Sequence, residues 1–459
     1  MPKKKTALTI EERLQQALVP AEEQPYEVPE NWVWVRLGGI TQVIGGGTPS
    51  TSKKEYYDGG TISWLSPVDL SNYNDIYISH GNKMITLEGL NNSSAKLLPK
   101  DTVCLTSRAP IGYVAIAENE LSTNQGFKSF LPSPTYLARF LYWYLKGNKE
   151  LLESKASGTT FLELSASKAA TIEFPLPPLS EQQRIVERIE ELFAKLDEAK
   201  ERLQEVADSF AVRKAAILHK AFTGELTKQW RRENGVSDES WEEKKFDDCI
   251  EKMQNGLSKR KGDEGNNIGV LRLANLGEDD LVLDDLRYIL LTEKEEKNYL
   301  LSKDDVIMIR VNGSKDNVAR QIVINTDEKL AFCDHIIRIK YNPNIVARYV
   351  MYFSKTNAYR KYVEDNMVSS AGQNTISRKG LASLVIPLPS IEEQHEIVRL
   401  IDDLLARERA AQQAAEQALA SIDLMKKSIL ARAFRGELST NKASEASALE
   451  LLRQVLAEN

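Results

Sequence analysis

The sequence predicts an α+β protein in which two mixed α/β domains are separated by two long antiparallel coiled-coil helices, with a pseudo-twofold internal repeat. Three observations predict this fold. The stretch "PLPPLSEQQRIV" returns later as "PLPSIEEQHEIV", and segments 175–226 and 387–438 share 20 of 52 positions at a constant offset of 212 residues. Each copy continues into a long run in which apolar residues recur every three or four positions. The segments 29–174 and 240–386 also resemble each other weakly.

The two ends of the chain carry short amphipathic runs. The N-terminal segment 1–28 contains "TIEERLQQAL", and the C-terminal tail 439–459 contains "SALELLRQVLAEN". Apolar residues at helical spacing predict a short helix in each. The sequence leaves open whether these helices complete the second helical region or bind a partner.

Segments 29–174 and 240–386 are each predicted to be one α/β domain. Both open with tryptophan in a strand-like run, "NWVWVRLGGI" and "SWEEKKFDDCI", and both then pass a glycine turn. Later "LLPKDTVCLTS" corresponds to "LLSKDDVIMIR", and the helix "YLARFLYWYL" to "IVARYVMYFS". Short strands joined by long polar loops are typical of domains that carry binding residues on a rigid frame.

Regions 175–239 and 387–438 are predicted to be a central helical spacer with its linker and a distal helical spacer. In each, prolines end a strand and a helix of about 40 residues, roughly 60 Å long, follows. Gly224 and Gly436 are natural stops for these helices. The predicted seam consists of Ile185, Ile189, Leu192, Leu196, Leu203, Val206 and Phe210 in the first helix, and of Ile397, Ile401, Leu404, Ala411, Ala415, Ala418, Ile422, Met425 and Ile429 in the second.

Two charged residues interrupt this seam, Arg213 in the first helix and Glu408 in the second. The middle of the second helix is small, with alanines at the seam positions. If the helices pair antiparallel, large residues of the first helix would fill the space beside these alanines. The large residues are Leu196, Leu203 and Val206, and the small ones are Ala411, Ala415 and Ala418.

Composition narrows the class of protein. Hydrophobic residues make up 42% of the 459 positions and charged residues 27%, as in ordinary globular proteins. No run is long and apolar enough for a membrane span or a secretory signal, so a cytoplasmic protein without membrane association is expected. The cysteines, Cys104, Cys249 and Cys333, lie far apart and predict core packing rather than a disulfide or a metal site.

Two related domains held at a fixed separation suit duplex DNA with two half-sites about 34 Å apart. The net charge of −6 is unlike that of a plain nucleic-acid binder, but the acidity lies mostly in the helical regions. Two alternatives stay open. One is a coiled-coil scaffold that carries two protein- or sugar-binding domains, and the other is a self-contained endonuclease or methyltransferase.

The motifs resemble those of one known family, the DNA specificity subunits of type I restriction-modification systems. The resemblance rests on "GGGTPSTSKKEYYDGGTISWLSPVDLSN", "ITLEGLNNSSAKLLPKDTVCLTSRAPIGYVAI" and "STNQGF" in the first domain. It continues with "GVLRLANLG" and "LLSKDDVIMIRVNGSKDNVAR" in the second domain, and with the two helical blocks. The second domain lacks the "GGTPS" turn and the first lacks "RVNGS", which indicates that the two halves read different sequences.

The resemblance implies a non-catalytic subunit that reads a bipartite site in double-stranded DNA, one half with each domain. It also implies docking of two methyltransferase subunits and of a restriction or translocase subunit. S-adenosylmethionine would be the cofactor of the partner methyltransferase, and this chain would hold none. The sequence itself contains no Asn-Pro-Pro-aromatic motif, no GxxxxGK[ST] loop and no zinc constellation, so no catalytic or metal residue is predicted.

Loops rich in Arg, Lys, Asn, Gln, Ser and Thr are the predicted DNA-contacting sites, because these side chains read base edges and phosphates. For any single residue, a solvated or turn-building role is an equal alternative. The glycine run "VIGGGTP" could also be a nucleotide-binding turn, but its Thr-Pro-Ser continuation favours a loop lifted toward DNA. The predicted residues are Thr48, Ser50, Lys53, Lys54, Arg108, Asn124, Gln125, Thr159 and Thr160 in the first domain, and Lys259, Arg260, Lys261, Arg310, Asn312, Ser314, Lys315, Gln373 and Asn374 in the second.

Overall fold

The computed structural model describes residues 9–158 and 162–458, and their contacts divide the chain into two compact units. The first unit contains the chain up to Arg202 and again from Ala418 onward, and the second unit runs from Leu203 to Gln417. Each unit therefore holds one α/β domain and a stretch of both long helices. In the described part of the chain, every helix is either too short or too polar to span a lipid bilayer.

The first α/β domain is built on three small sheets. Its strands are β1 Val33–Arg36, β2 Val43–Gly45, β3 Ile62–Leu65, β4 Tyr77–Ile78, β5 Lys83–Ile85, β6 Val103–Ser107, β7 Ile111–Ala117, β8 Ser122–Thr123, β9 Phe127–Phe130 and β10 Glu173–Leu176. One sheet has the order β2-β9-β6-β7-β4, and another has the order β5-β3-β8 with β3 and β8 parallel. Strands β1 and β10 form an antiparallel ribbon where the chain enters and leaves the domain.

The second α/β domain repeats this plan. Its strands are β11 Glu242–Lys245, β12 Ile250–Asn255, β13 Asn266–Leu271, β14 Arg287–Leu291, β15 Val306–Ile309, β16 Val311–Asn312, β17 Gln321–Val323, β18 Leu330–Phe332, β19 Ile336–Tyr341, β20 Val368–Ser370, β21 Gln373–Thr375 and β22 Val385–Leu388. The order β12-β19-β15-β17 matches β2-β9-β6-β7, β14-β13-β18 matches β5-β3-β8, and the ribbon β11-β22 matches β1-β10. The weak likeness seen in the sequence is therefore a duplicated fold. A small sheet of order β16-β21-β20 is added.

Helices cover the sheets and connect the domains. They are α1 Ile10–Ala17, α2 Leu87–Asn91, α3 Ala138–Gly147, α4 Lys149–Lys155, α5 Ala166–Ala170, α6 Leu179–Asp208, α7 Phe210–Phe222, α8 Lys228–Asn234, α9 Glu293–Tyr299, α10 Ala347–Phe353, α11 Asn357–Asn366, α12 Arg378–Leu381, α13 Ile391–Ala433 and α14 Ala448–Glu458. The second long helix, α13, is continuous, whereas the first is recorded as α6 and α7 with Ser209 between them. The Ser209 hydroxyl donates to the carbonyl of Val206 at 2.6 Å, a bond that perturbs the helical backbone locally.

The glutamine of the repeated Glu-Gln pair has the same structural role in both copies of the stretch that leads into a long helix. In the first unit the Gln182 amide accepts a hydrogen bond from the backbone N–H of Leu137 at 2.8 Å and donates to the carbonyls of Thr135 and Pro177. In the second unit Gln394 makes the equivalent three bonds, with the N–H of Val346 at 2.9 Å. Each buried glutamine therefore ties the start of a long helix to the loop that precedes α3 or α10.

Within each unit the two long helices run antiparallel. In the first unit Lys426 contacts Asp197 at 2.5 Å, and the guanidinium of Arg184 donates to the carbonyl of Thr440 at 3.0 Å. In the second unit Arg213 forms an ion pair with Glu408 at 2.8 Å. The two charges that interrupt the predicted seam are thus partners of each other.

Most predicted seam residues are removed from solvent, but three are not. Buried seam residues are Ile185, Ile189, Phe210, Ile397, Ile401, Ala415 and Ile422; half-buried ones are Leu192, Leu196, Leu203, Leu404, Ala418 and Ile429. Val206, Ala411 and Met425 are exposed, because a pair of helices covers only a narrow stripe of each partner. The predicted fit of large residues against alanines is therefore wrong for Val206 and Ala411, and it stays a prediction for Leu196, Leu203, Ala415 and Ala418. Gly224 and Gly436 have left-handed backbones with φ of 76° and 75°, as expected of helix stops.

The two ends of the chain meet in the first unit. Leu14 and Ala17 of α1 belong to the same buried cluster as Ala448 and Leu452 of α14. The Arg13 guanidinium also donates to the carbonyl of Leu456 at 3.4 Å. The amphipathic runs at the two ends therefore pack against each other.

Candidate nucleic-acid interface

The glycine run of the first domain is a site of close backbone approach. The N–H of Gly47 donates to the carbonyl of Thr123 at 2.9 Å, and the carbonyl of Gly47 accepts from the Trp64 indole at 2.9 Å. A Cβ at Gly46 would lie 2.0 Å from the carbonyl oxygen of Asn124. These polar backbone groups are already used within the fold, so the run is not a phosphate-binding turn.

A charged cluster lies beside this turn in the first domain. We call it the Lys128 cluster, and it consists of Ser107, Arg108, Lys128 and Glu163. The buried Lys128 ammonium donates to the Ser107 hydroxyl at 3.1 Å and lies 3.5 Å from a Glu163 oxygen. Burial lowers the pKa of Lys128, and the Glu163 carboxylate opposes that shift. Arg108 faces the other Glu163 oxygen at 3.8 Å, so the cluster presents a cation at the protein surface.

The structure brings four of the nine predicted first-domain residues, Thr48, Arg108, Asn124 and Gln125, to this region. Thr48 donates to the side-chain oxygen of Gln125, and the backbone carbonyl of Gln125 accepts from Lys128 at 3.4 Å. Asn124 uses its side-chain oxygen to accept the N–H of Gly126 at 2.8 Å, so its amide shapes the turn. Of these predicted residues, Thr159 and Thr160 lie outside the described residues.

The remaining first-domain predictions fall on one exposed loop. The Ser50 hydroxyl contacts that of Ser52 at 2.9 Å. Lys53 donates to the Tyr56 hydroxyl at 3.0 Å and lies over its ring. Lys54 is exposed and has no side-chain partner in the part of the chain that is described. The loop therefore offers one unpaired lysine.

The loop between Gly256 and Gly265 carries the basic triplet of the second domain. A Cβ at Gly256 would lie 2.1 Å from the carbonyl oxygen of Cys333, and one at Gly262 would lie 2.0 Å from that of Leu290. Gly265 has φ of 108°, a left-handed conformation that favours glycine. These glycines hold the loop close to the strands below it.

Two of the three basic side chains on this loop are paired with acids. Lys259 donates to both oxygens of Glu295 at 3.0 Å. The Arg260 guanidinium donates hydrogen bonds to both oxygens of Asp334, at 3.0 and 3.2 Å. Lys261 is exposed and has no side-chain partner among the described residues. Sequence reasoning missed these acids because they follow the triplet by more than 30 residues.

The small sheet β16-β21-β20 gathers the other second-domain predictions. Asn312 lies opposite Asn374 in this sheet, and the Asn374 amide donates to the carbonyl of Gly313 at 2.9 Å. The Asn312 side chain accepts the N–H of Ser314 at 2.8 Å. These two amides therefore build the turn. Gln373, which lies opposite Ser370 in the same sheet, is exposed.

Backbone contacts join this sheet to the basic loop. The N–H of Arg310 donates to the carbonyl of His335 at 2.8 Å, next to the Asp334 that binds Arg260. The Arg310 side chain has no partner among the described residues. Lys315 lies 3.5 Å from Glu364. The segment that leads into the small sheet is therefore hydrogen-bonded to the segment that carries the acid partner of Arg260.

One group of described residues combines metal-ligand types, with the side-chain ligand atoms of Cys333, Asp334 and His335 within 4.8 Å of one another. Both Asp334 oxygens are engaged by Arg260, and burial raises the pKa of the Cys333 thiol. Within this group, Asp334 therefore serves to hold Arg260.

Equivalent anchors fix each domain to a long helix. In the first unit, Glu190 of α6 pairs with Arg139 and accepts from the Trp143 indole at 3.1 Å. In the second unit, Asp402 of α13 pairs with Arg348 at 2.8 Å and accepts from the Tyr352 hydroxyl. Because α3 and α10 carry the matching donors, each candidate surface is held relative to the helix pair of its own unit.

The chain is similar to known proteins over most of its length. The model of the type I restriction modification DNA specificity domain matches residues 29–208 and again residues 238–418. The StySPI specificity subunit of Salmonella potsdam is 30% identical over 451 residues, which cover 94% of this chain and 96% of that protein. The EcoKI specificity subunit of Escherichia coli K12 is 25% identical over 452 residues, with the same two shares of 94% and 96%.

A solved structure has the same fold. The crystal structure of the HsdS subunit from Thermoanaerobacter tengcongensis superposes with a TM-score of 0.63 at 20% identity, covering 91% of this chain and 100% of that chain. At this identity the superposition establishes a shared fold.

Proposed function

This chain belongs to the type I restriction-modification DNA specificity family, and from that membership we propose how it works. It is a DNA specificity subunit with two recognition domains, 29–174 and 240–386 in the boundaries predicted from the sequence. We propose that each domain reads one half of a bipartite site in double-stranded DNA and that the paired helices set the number of unread base pairs between the halves. The comparisons do not favour the alternative of a scaffold with protein- or sugar-binding domains.

One observation carries this proposal: the same domain occurs twice, each copy anchored on a long helix, with different polar side chains on its candidate surface. The first copy presents Arg108 and Lys54, whereas the second presents Lys261 and Arg310. Arg and Lys contact guanine edges and phosphates, so two unlike sets suit two unlike half-sites.

DNA, methyltransferase subunits and a restriction subunit are the partners that family membership implies. We propose that two methyltransferase subunits bind and that S-adenosylmethionine is held by them, with this chain taking no part in the chemistry. The cytoplasm, where the DNA is found, would be its place of action. Purified chain incubated with duplex DNA and labelled methyl donor is expected to transfer no methyl group; transfer without a partner would contradict the division of labour.

Selection from random duplexes tests the reading of two half-sites. The assembled complex is expected to enrich two short motifs separated by a constant number of random base pairs, with affinity that falls steeply as salt rises. A hybrid in which residues 29–174 come from another member should change one motif and leave the other. Enrichment of a single unbroken motif, or a change in both motifs, would contradict the proposal.

A further inference from the structure

The second unit has an apolar groove on its surface, and none of the residues that line it is among the predicted DNA-contacting residues. It has a volume of about 380 Å³ and opens between α7, the beginning of α11 and the ribbon β11-β22. Leu218, Phe222 and Phe353 form its apolar floor, and Thr223 and Glu243 lie at its rim. A cavity of this size is large enough for an aromatic side chain with its neighbours.

The internal repeat identifies the matching place in the first unit. In the ribbons, Glu243 lies opposite Pro387 and Trp34 lies opposite Pro175, and these prolines are equivalent at the offset of 212 residues. Glu243 therefore stands where the first unit has Trp34.

The floor of the groove is repeated as well. Phe222 lies 5.3 Å from Phe353 in the second unit, and the equivalent rings of Phe434 and Tyr144 lie 5.0 Å apart in the first. At the rim, Thr223 of the second unit corresponds to Arg435 of the first.

In the first unit this place is filled by the chain's own aromatic residues. The Tyr26 ring packs edge-on against Trp34 at 4.8 Å, and the Arg435 guanidinium lies 5.1 Å from the centre of the Tyr26 ring. The Trp34 indole donates to the carbonyl of Tyr26 at 3.1 Å, and Trp34 is only 2% exposed. Burial raises the pKa of Tyr26 to about 12.

In the described part of the chain, the second unit has no counterpart for these two rings. Glu243 replaces Trp34 and is exposed. Tyr26 stands six positions before Trp32, and the residue six positions before Trp241 is Gly235, which has open space around it. Among the described residues, the groove of the second unit therefore has an equivalent aromatic floor but no rings in the places of Tyr26 and Trp34.

We propose that this groove receives a tyrosine or tryptophan side chain from an extended segment of one partner protein, bound once per chain. The ring would lie against Phe222 and Phe353, at the place that corresponds to Tyr26 and Trp34 of the first unit. A lysine or arginine next to that ring would meet the Glu243 carboxylate at the rim. The existence of such a partner rests on the proposed function.

A variant that fills the groove from within tests the proposal. Glu243→Trp restores the residue found in the first unit, whereas Glu242→Trp is a matched control whose side chain points to the opposite face of the strand. We expect Glu243→Trp to raise the melting temperature by about 2–4 °C, because the new ring is buried, and Glu242→Trp to leave it unchanged or lower. A lower melting temperature for Glu243→Trp would mean that the groove does not accept a ring.

Binding is measured first with a minimal probe. The dipeptide amide acetyl-Arg-Tyr-NH2 is expected to show saturation transfer from the full-length chain in ligand-observed NMR, at least about fivefold reduced with Glu243→Trp and unchanged with Glu242→Trp. Acetyl-Arg-Ala-NH2 is expected to show none. Equal signals from the two dipeptides, or from the two protein variants, would overturn the proposal.

The partner is then identified by assembly with purified methyltransferase and restriction subunits. Glu243→Trp is expected to weaken one of these assemblies at least about tenfold relative to Glu242→Trp, without changing the DNA motifs selected. If both assemblies form normally with Glu243→Trp, the groove is not a docking site. If the unsubstituted chain binds neither subunit, the result contradicts the proposed function and not only the docking role of the groove. The failures of these two proposals are therefore distinguishable.

Discussion

Glu181 and Glu393 are the equivalent acids at the beginnings of the two long helices, and both are fully buried. Glu393 accepts hydrogen bonds from the Arg231 guanidinium at 2.7 Å and the Thr227 hydroxyl at 2.6 Å. Glu181 instead accepts from the indole of Trp32 and the amide of Asn441, both at 2.8 Å. Each buried acid therefore fastens a helix start to the segment that follows the other long helix.

Replacing Arg231 by methionine is expected to destabilise the second unit by about 3–5 kcal/mol, because Glu393 would remain buried and charged without its partner. The measurement is urea unfolding followed by tryptophan fluorescence, since Trp230 and Trp241 lie near this site in the chain. Arg232→Met is the control, because Arg232 is exposed. Adding Glu393→Gln to Arg231→Met should recover part of the loss; no recovery would argue against an unpaired charge as the cause.

The pairing of the basic triplet makes opposite predictions for two nearby residues. Lys261→Ala removes an unpaired cation and is expected to reduce the salt slope of DNA binding by about 0.9, whereas Asp334→Asn frees Arg260 and is expected to increase it by a similar amount. Both effects are measured by titrating duplex DNA at several salt concentrations. Lys427→Ala, at an exposed lysine of α13, serves as control. If Lys261→Ala behaves like the control, this loop does not touch DNA.

Only part of the candidate surface could be predicted from residue type. Composition located the loops, because Arg, Lys, Asn and Gln are concentrated there. It could not show that the amides of Asn124, Asn312 and Asn374 are used inside turns. It also missed Lys128, which lies in a buried strand and is stabilised by Glu163, 35 residues away. Such roles depend on contacts between distant residues, which a local pattern does not contain.

At the scale of elements, periodicity predicted the two long helices, and the offset of 212 residues predicted that they match. The sheets could not be derived in the same way, because strands of two to seven residues carry little pattern and their order depends on pairing across the domain. The break at Ser209 was also unexpected, since the apolar spacing continues through it.

The acidic loop around Asp279 anchors the second domain to its helix pair. The apolar periodicity of the sequence did not predict this anchor. Asp279 of this loop pairs with Lys355 and lies 3.9 Å from Lys214 and 3.7 Å from Arg409. Burial opposes its charge, but these three cations outweigh that effect and lower the pKa of Asp279. The pKa of Lys355 is also lowered, because the effect of its burial exceeds that of the neighbouring Asp279. In this pair the surroundings therefore stabilise the charged form of the acid but not that of the lysine.

Asp279→Asn is expected to loosen this anchor by about 2 kcal/mol, since the charged hydrogen bonds and ion pairs lose their acceptor charge. Hydrogen exchange of residues 277–285 should become faster, and DNA selection should accept spacers one base pair longer or shorter. Asp280→Asn is the matched control, because the neighbouring Asp280 is exposed and its carboxylate accepts a weak hydrogen bond from Asn325 at 3.5 Å. Equal exchange in the two variants would show that Asp279 is not an anchor.

At the scale of the whole molecule, the division into units shows which parts of the helices belong to which domain. The first unit ends at Arg202 in α6 and resumes at Ala418 in α13. Because the helices are antiparallel within each unit, residues can be inserted after Arg202 and after Gln417 without disturbing the pairing inside either unit. Insertions at both sites therefore lengthen the paired helices that are proposed to set the DNA spacing, and they leave the pairing within each unit unchanged.

Inserting four helix-forming residues at both positions adds a little over one turn to each helix, about 6 Å in length. If the helix pair sets the spacing, the selected DNA site should gain about one to two unread base pairs, because successive base pairs are about 3.4 Å apart. The two half-site motifs should stay the same, since neither recognition domain is altered. An insertion after Arg202 alone breaks the match between the helices and should weaken binding instead. An unchanged spacer in the double insertion, with both motifs still selected, would mean that something other than these helices measures the distance.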